Sequence, residues 1–179
     1  MTRWIAPLLL AAATATLAAA SAPVNTGKSR ITATFTQMNV AVEGSFQMFS
    51  GEVAYDPANV AASSASISVD TASFDLGDEE YNAEVRKKEW LDASAHKTAT
   101  FKSTSIKPLG PGKFEAEGTL TLKGKSQPAK STVTVKPEGT AQRFDGEITV
   151  SRSTFAIGDA EWNDVLADAV VVKFSIVAP

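Results

Sequence analysis

The sequence predicts an all-β protein, an antiparallel barrel of about eight strands with one short surface helix. Three observations carry that reading. After Ser21, apolar residues recur almost everywhere with a period of two, the mark of strands with one buried face. Turn signals separate these runs: Asp56-Pro57, Pro108 to Gly112, Lys123-Gly124 and Pro137 to Gly139. The closing run "AVVVKFSIV" is long and apolar, and it would be an exposed edge unless it paired. Closure onto the first strand removes that edge, which favours a barrel over a two-sheet sandwich.

The chain opens with a segment of a different kind. Arg3 is followed by "WIAPLLLAAATATLAAA", the basic start, short apolar stretch and small-residue site of a secretory signal. Ala18 and Ala20 are placed for cleavage before Ser21. The strongly apolar part falls short of the ~20 residues a membrane span needs. Residues 1–20 are therefore expected to be removed, leaving 21–179 as one exported domain.

The strands follow in order. "RITATF" puts Ile31, Ala33 and Phe35 on one face, and Met38, Val40 and Val42 continue an alternation. "SFQMFSGEVAY" sets Phe46 and Met48 on one parity and Phe49, Val53 and Tyr55 on the other, which predicts a bulge or a strand buried on both faces. Ile67 and Val69, then Ala99 and Phe101, mark two more runs. "KFEAEGTLTLK" is the cleanest: Phe114, Ala116, Gly118, Leu120 and Leu122 oppose Glu115, Glu117, Thr119 and Thr121. Val133 and Val135, then Phe144, Ile148 and Val150, and finally Val170, Val172, Phe174 and Ile176 complete the set. One segment departs from period two. "DEEYNAEVRKKEWL", residues 78–91, has acids first and bases later, as a helix dipole favours, with Tyr81 and Val85 as a thin inner stripe.

Composition excludes several function classes. With 17 basic against 20 acidic side chains, the net charge of −3 argues against nucleic acid or an anionic membrane as main partner. No cysteine is present, so there is no disulfide and no thiolate metal site. His96 is the only histidine and has no second imidazole to complete a metal centre. Asp75, Asp78, Glu79 and Glu80 lack the glycine-turned loop of a calcium site and read as helix N-terminal charge. No G-x-S-x-G elbow occurs, and Glu115 and Glu117 point away from the apolar face. The lysines of "KGKSQPAK" have no interleaved aromatic for stacking bases. No enzyme, metal or cofactor is expected. The apolar face itself remains, and a barrel of this size either fills with its own side chains or encloses one small ligand. Phe35, Phe114, Leu120, Phe144 and Phe174 suit both readings.

The ordered motifs "VEGSFQMFSGEVAYDP", "SISVDTASFDLGD", "KKEWLDASAHKTATFKSTSI", "GTLTLKGKSQPA", "FDGEITVSRSTFAIG" and "DAVVVKFSIVAP" resemble the YceI-like family from about Lys28 to Pro179. The resemblance implies an extended antiparallel eight-stranded barrel, lipocalin-like in shape, in the periplasm. It also implies an interior that holds a long-chain isoprenoid or related aliphatic lipid, for storage or transport, with no common catalytic site and no stable membrane insertion. On that reading the lining comprises Phe35, Phe46, Phe49, Val53, Phe101, Phe114, Leu120, Leu122, Phe144, Ile148 and Phe174, and Ala33, Ala99, Ala116 and Gly118 supply room. The sequence departs from the family pattern at Lys28, in the helix "YNAEV" and at Thr98. The alternative is a ligand-free barrel serving as an interaction or stress-response module.

Overall fold

A computed structural model describes residues 20–179. The expected export signal lies outside them except for Ala20. The described chain forms eleven strands: β1 (Ala22–Pro23), β2 (Arg30–Gln37), β3 (Val40–Phe46), β4 (Phe49–Ala54), β5 (Ser64–Asp70), β6 (Phe74–Asp75), β7 (Thr98–Gly110), β8 (Lys113–Leu122), β9 (Lys125–Glu138), β10 (Ala141–Ser151) and β11 (Ala169–Ala178). Among the described residues one α-helix, α1 (Glu79–Val85), lies between β6 and β7. The strands make a single antiparallel sheet in the order β1-β4-β5-β7-β8-β9-β10-β11-β2-β3-β6.

Eleven strands replace the expected eight. β1 and β6 have two residues each, too short to show any period. The parity change at Met48 and Phe49 is neither a bulge nor a doubly buried strand: it is the junction between two strands, where β3 ends at Phe46 and β4 begins at Phe49 on different neighbours.

The sheet curls, bringing the β4 side of it across to β8, β10 and β11. Tyr55, just beyond β4, packs edge-on against Phe144 of β10 at 5.3 Å and lies over Phe114 of β8 at 6.5 Å. Val24 donates its N–H to the Gly51 carbonyl of β4 at 2.9 Å, and Asn25 donates to the Val177 carbonyl of β11 at 2.8 Å, so two consecutive residues bridge two strands that are far apart in the strand order. The final strand does pair with the long first one, β2, from Val171↔Thr34 to Ser175↔Arg30.

Two hairpins have two-residue turns in which both residues take positive φ: Met38-Asn39 (46° and 64°) and Lys123-Gly124 (48° and 71°). Such turns match the twist of the flanking strands. Glycine and asparagine suit them; Met38 is held there against its preference.

The helix is shorter than the expected 78–91. Asp78 caps it, accepting from the N–H groups of Glu80 and Tyr81, but the helical bonding stops after Val85 and the rest forms turns. Of the expected inner stripe, Val85 packs against the core cluster of Ala33, Phe74 and Leu91. Tyr81 is 65% exposed, whereas polar Asn82 is only 6% exposed. Asn82 is admitted because its amide is satisfied: its oxygen accepts from the Leu76 N–H at 2.7 Å and its nitrogen donates to Asp75 at 2.9 Å.

Candidate functional site

The curled sheet encloses a cavity of about 670 Å³. Strand parity builds its wall. β2 contributes odd positions from Ile31 to Gln37, while β8, β10 and β11 contribute even ones, such as Ala116, Ile148 and Val172. In β7 the parity switches: Ala99 and Phe101 face in, a register shift intervenes between Ser103 and Ser105, and Ile106 then faces in. A bulge of that kind re-aims every later side chain.

Of the residues singled out from sequence, Phe35, Phe46, Val53, Phe101 and Phe114 lie on the cavity wall, as do Leu120, Leu122, Phe144, Ile148 and Phe174. Phe49 does not. It is half-buried and packs against the cluster of Val53, Phe114 and Phe144. Ala33, Ala99 and Ala116 line the space. Gly118 supplies no room, because the ring of Phe101 already fills it: a Cβ there would lie 2.7 Å from that ring and 2.4 Å from the Lys102 carbonyl oxygen.

Residues outside the periodic runs complete the site. Tyr81, Glu84 and Val85 of α1, Trp90 in the following turn and Trp162 beyond β10 line the end of the cavity under the helix. The two indoles pack at 5.1 Å. The Trp90 indole N–H donates to Glu84, and the Lys87 ammonium beside that carboxylate holds it below its usual range. Helical spacing had singled out Tyr81 and Val85, but periodicity could not place Glu84, Trp90 or Trp162. Two tryptophans in otherwise polar segments were the available signal.

Arg152 ends the inward row of β10 and is 4% exposed. Its guanidinium donates to the carbonyls of Ala167 (3.2 Å), Ile157 (3.1 Å) and Leu166 (3.1 Å) and to the Asn163 side-chain oxygen (2.8 Å). All four acceptors lie in the segment between β10 and β11, so one side chain holds that segment against the cavity. Among the described residues no carboxylate lies within ion-pair distance of it. His96 stands apart from the cavity, where a Cβ on Gly124 would lie 2.8 Å from its ring, with Asp92 at 3.9 Å. Among the described residues no cluster of three potential metal ligands forms, and no helix is long and apolar enough to cross a membrane. The wall is thus almost wholly hydrocarbon, with a few hydroxyl, amide and charged groups toward its ends.

Residues 23–178 match the sequence model of the YceI-like domain. A UPF0312 protein of Vibrio cholerae is 46% identical over 87 residues, 49% of this chain and 46% of that protein. One of Ectopseudomonas mendocina is 41% identical over 85 residues, covering 48% and 44%. The chain therefore spans about half the length of the curated relatives it matches. Among solved structures, Burkholderia cenocepacia BcnA is 45% identical and superposes with a TM-score of 0.84 over 87% of this chain and 99% of its own. A polyisoprenoid binding domain from Saccharophagus degradans, implicated in plant cell wall breakdown, shares the fold at 15% identity and a TM-score of 0.70, over 89% of this chain and 98% of its own.

Proposed function

The chain belongs to the YceI-like domain family, and on that premise we propose that its cavity binds one long aliphatic chain, an isoprenoid or related lipid. The observation that carries this reading is the hydrocarbon wall around about 670 Å³ of space. Each methylene moved from water into such a wall is worth roughly 0.8 kcal/mol, so an extended chain binds tightly with few polar contacts. The same arithmetic gives loose selectivity, since one methylene more or less discriminates only weakly. The S. degradans domain supports the reading, because a polyisoprenoid binding domain is built on this fold. The proposed lining is the ten sequence-predicted residues on the wall, with Tyr81, Trp90 and Trp162 at the helix end.

The proposed role is binding without catalysis, for storage or transport of the lipid in the periplasm, after removal of residues 1–20 as an export signal. It requires no metal or cofactor.

Leu120 provides the test. It lies on the wall, third from the end of β8, and Leu120→Trp fills volume while keeping the surface apolar, at a stability cost of ~1–3 kcal/mol. Lipid extracted per mole of folded protein should fall sharply relative to wild type, with circular dichroism confirming the fold. A folded variant with full lipid, or a wild-type protein that neither carries nor takes up lipid, would return the barrel to the ligand-free reading.

A further inference from the structure

Antiparallel strands seal a barrel wall through their hydrogen-bond ladder. Between β9 and β10 that ladder runs only from Glu138↔Ala141 to Thr134↔Asp145. Both strands go on, β9 back to Lys125 and β10 forward to Ser151, yet no further rung joins them. The wall there splays into a cleft. On its outer side lies a groove of about 920 Å³ bounded by Pro128 to Thr132 on one strand and Asp145 to Glu147 on the other.

Two residues, Ser131 and Phe174, line both this outer groove and the interior cavity. Phe174 of β11 pairs with Gly146 of β10, and its ring lies across that glycine toward β9. A Cβ on Gly146 would stand 2.5 Å from Phe174 Cζ and 2.8 Å from Ser131 Oγ, so the ring and the hydroxyl together occupy the glycine's side-chain space. Ser131 is 4% exposed, and its hydroxyl has only a long contact of 3.4 Å to the Thr132 carbonyl. A single layer of side chains, with no ladder behind it, therefore separates the cavity from solvent.

We propose that the β9–β10 cleft is a side portal through which an aliphatic chain enters and leaves the cavity, with the Phe174 ring as its gate. The inference rests on the proposed lipid-binding reading. Opening requires only rotation of one ring and separation of two strand segments that share no rungs, whereas passage elsewhere through the paired wall breaks a ladder. The outer lip carries both signs of charge, Lys130 and Lys173 against Glu115, Asp145 and Glu147, which suits passage of an apolar chain more than retention of a charged head group.

The chain has no cysteine, so Thr132→Cys with Glu147→Cys creates the only two thiols, both on exposed positions just beyond the last rung. The pair is linked with a short bis-maleimide. Uptake and release of pyrene-labelled hexadecanoate are followed by stopped flow, with each single-cysteine variant capped by a monofunctional maleimide as control. Linking should slow both rates by about ten-fold while leaving Kd unchanged, as expected when a gate limits exchange. Phe174→Leu, without the link, should speed both rates. Unchanged rates in the linked protein overturn the portal and leave lipid binding intact. Failure of the wild-type protein to take up the probe removes the lipid-binding reading and the portal with it. If Phe174→Leu does not fold, the linked pair decides alone.

Discussion

Asn82 donates to the Asp75 carboxylate at 2.9 Å while its own oxygen holds the Leu76 N–H at 2.7 Å, so one buried amide ties α1 to β6. Asp75 is held below its ordinary 3.8, first by that amide, then by the Gly77 N–H and the nearby Arg86 guanidinium. A carboxyl depressed in the folded state stabilises above its unfolded value, and that contribution disappears as pH falls through the folded value. Thermal melts from pH 6 down to pH 2 should show wild type losing its advantage over Asp75→Asn below about pH 4. Parallel curves for the two proteins would contradict the assignment.

Met38 adopts φ 46° at a hairpin tip where its side chain is 68% exposed and touches little. A left-handed conformation costs a bulky residue roughly 1–2 kcal/mol, much less for asparagine. Met38→Asn should raise unfolding free energy by about 0.5–1 kcal/mol in urea titrations. A decrease would mean that the methionine is held by a contact worth more than the strain.

Gly118 and Gly139 make a matched pair. At Gly118 an added methyl meets a backbone oxygen, which cannot move aside as a side chain can. Gly118→Ala should cost about 1–3 kcal/mol. Gly139 sits at φ 64° with nothing within 4 Å of a Cβ, and Gly139→Asn should be nearly neutral. A neutral Gly118→Ala would show that the Phe101 and Lys102 contacts yield to the added methyl.

Arg152 should not tolerate lysine. A lysine ammonium is a compact point charge and cannot span the four acceptors that the guanidinium fork reaches. Arg152→Lys should cost about 1–3 kcal/mol and expose the segment between β10 and β11 to limited proteolysis. Cleavage elsewhere, with that segment protected, would show that other contacts hold it.

The strands whose faces differ most in polarity were the most legible in the sequence. In β8, β10 and β11 the apolar positions read from alternation, Gly118 apart, are those on the cavity wall. Ile106 was not legible because the shift after Ser103 is set by pairing with β8, which local periodicity does not record. Phe49 keeps the parity it shares with Val53 and packs on the same core, but the cavity wall stops short of it, which alternation alone does not reveal. The helix was overextended because charge order and helix formers do not reveal where tertiary contacts end a helix. Tyr81 looked like an inner residue by spacing, but Asn82 won the buried position by having two partners there. Trp90, Trp162 and the span of Arg152 depend on turns, where no period exists to read.

The bridge made by Val24 and Asn25 has a kinetic consequence. Val24 bonds β4 and Asn25 bonds Val177, a residue some 150 positions away in the chain, and β2 waits for β11 in the same manner. Closing loops that long costs entropy before any contact compensates for it, so this topology folds slowly for its size. Until β11 has been made, β2 has an unpaired edge and the apolar interior stays open along that seam. A nascent chain therefore passes through a sticky, half-built intermediate, and holding it unfolded until its last strand is available protects it from aggregation. Refolding yield should accordingly fall with protein concentration far more steeply than native solubility does.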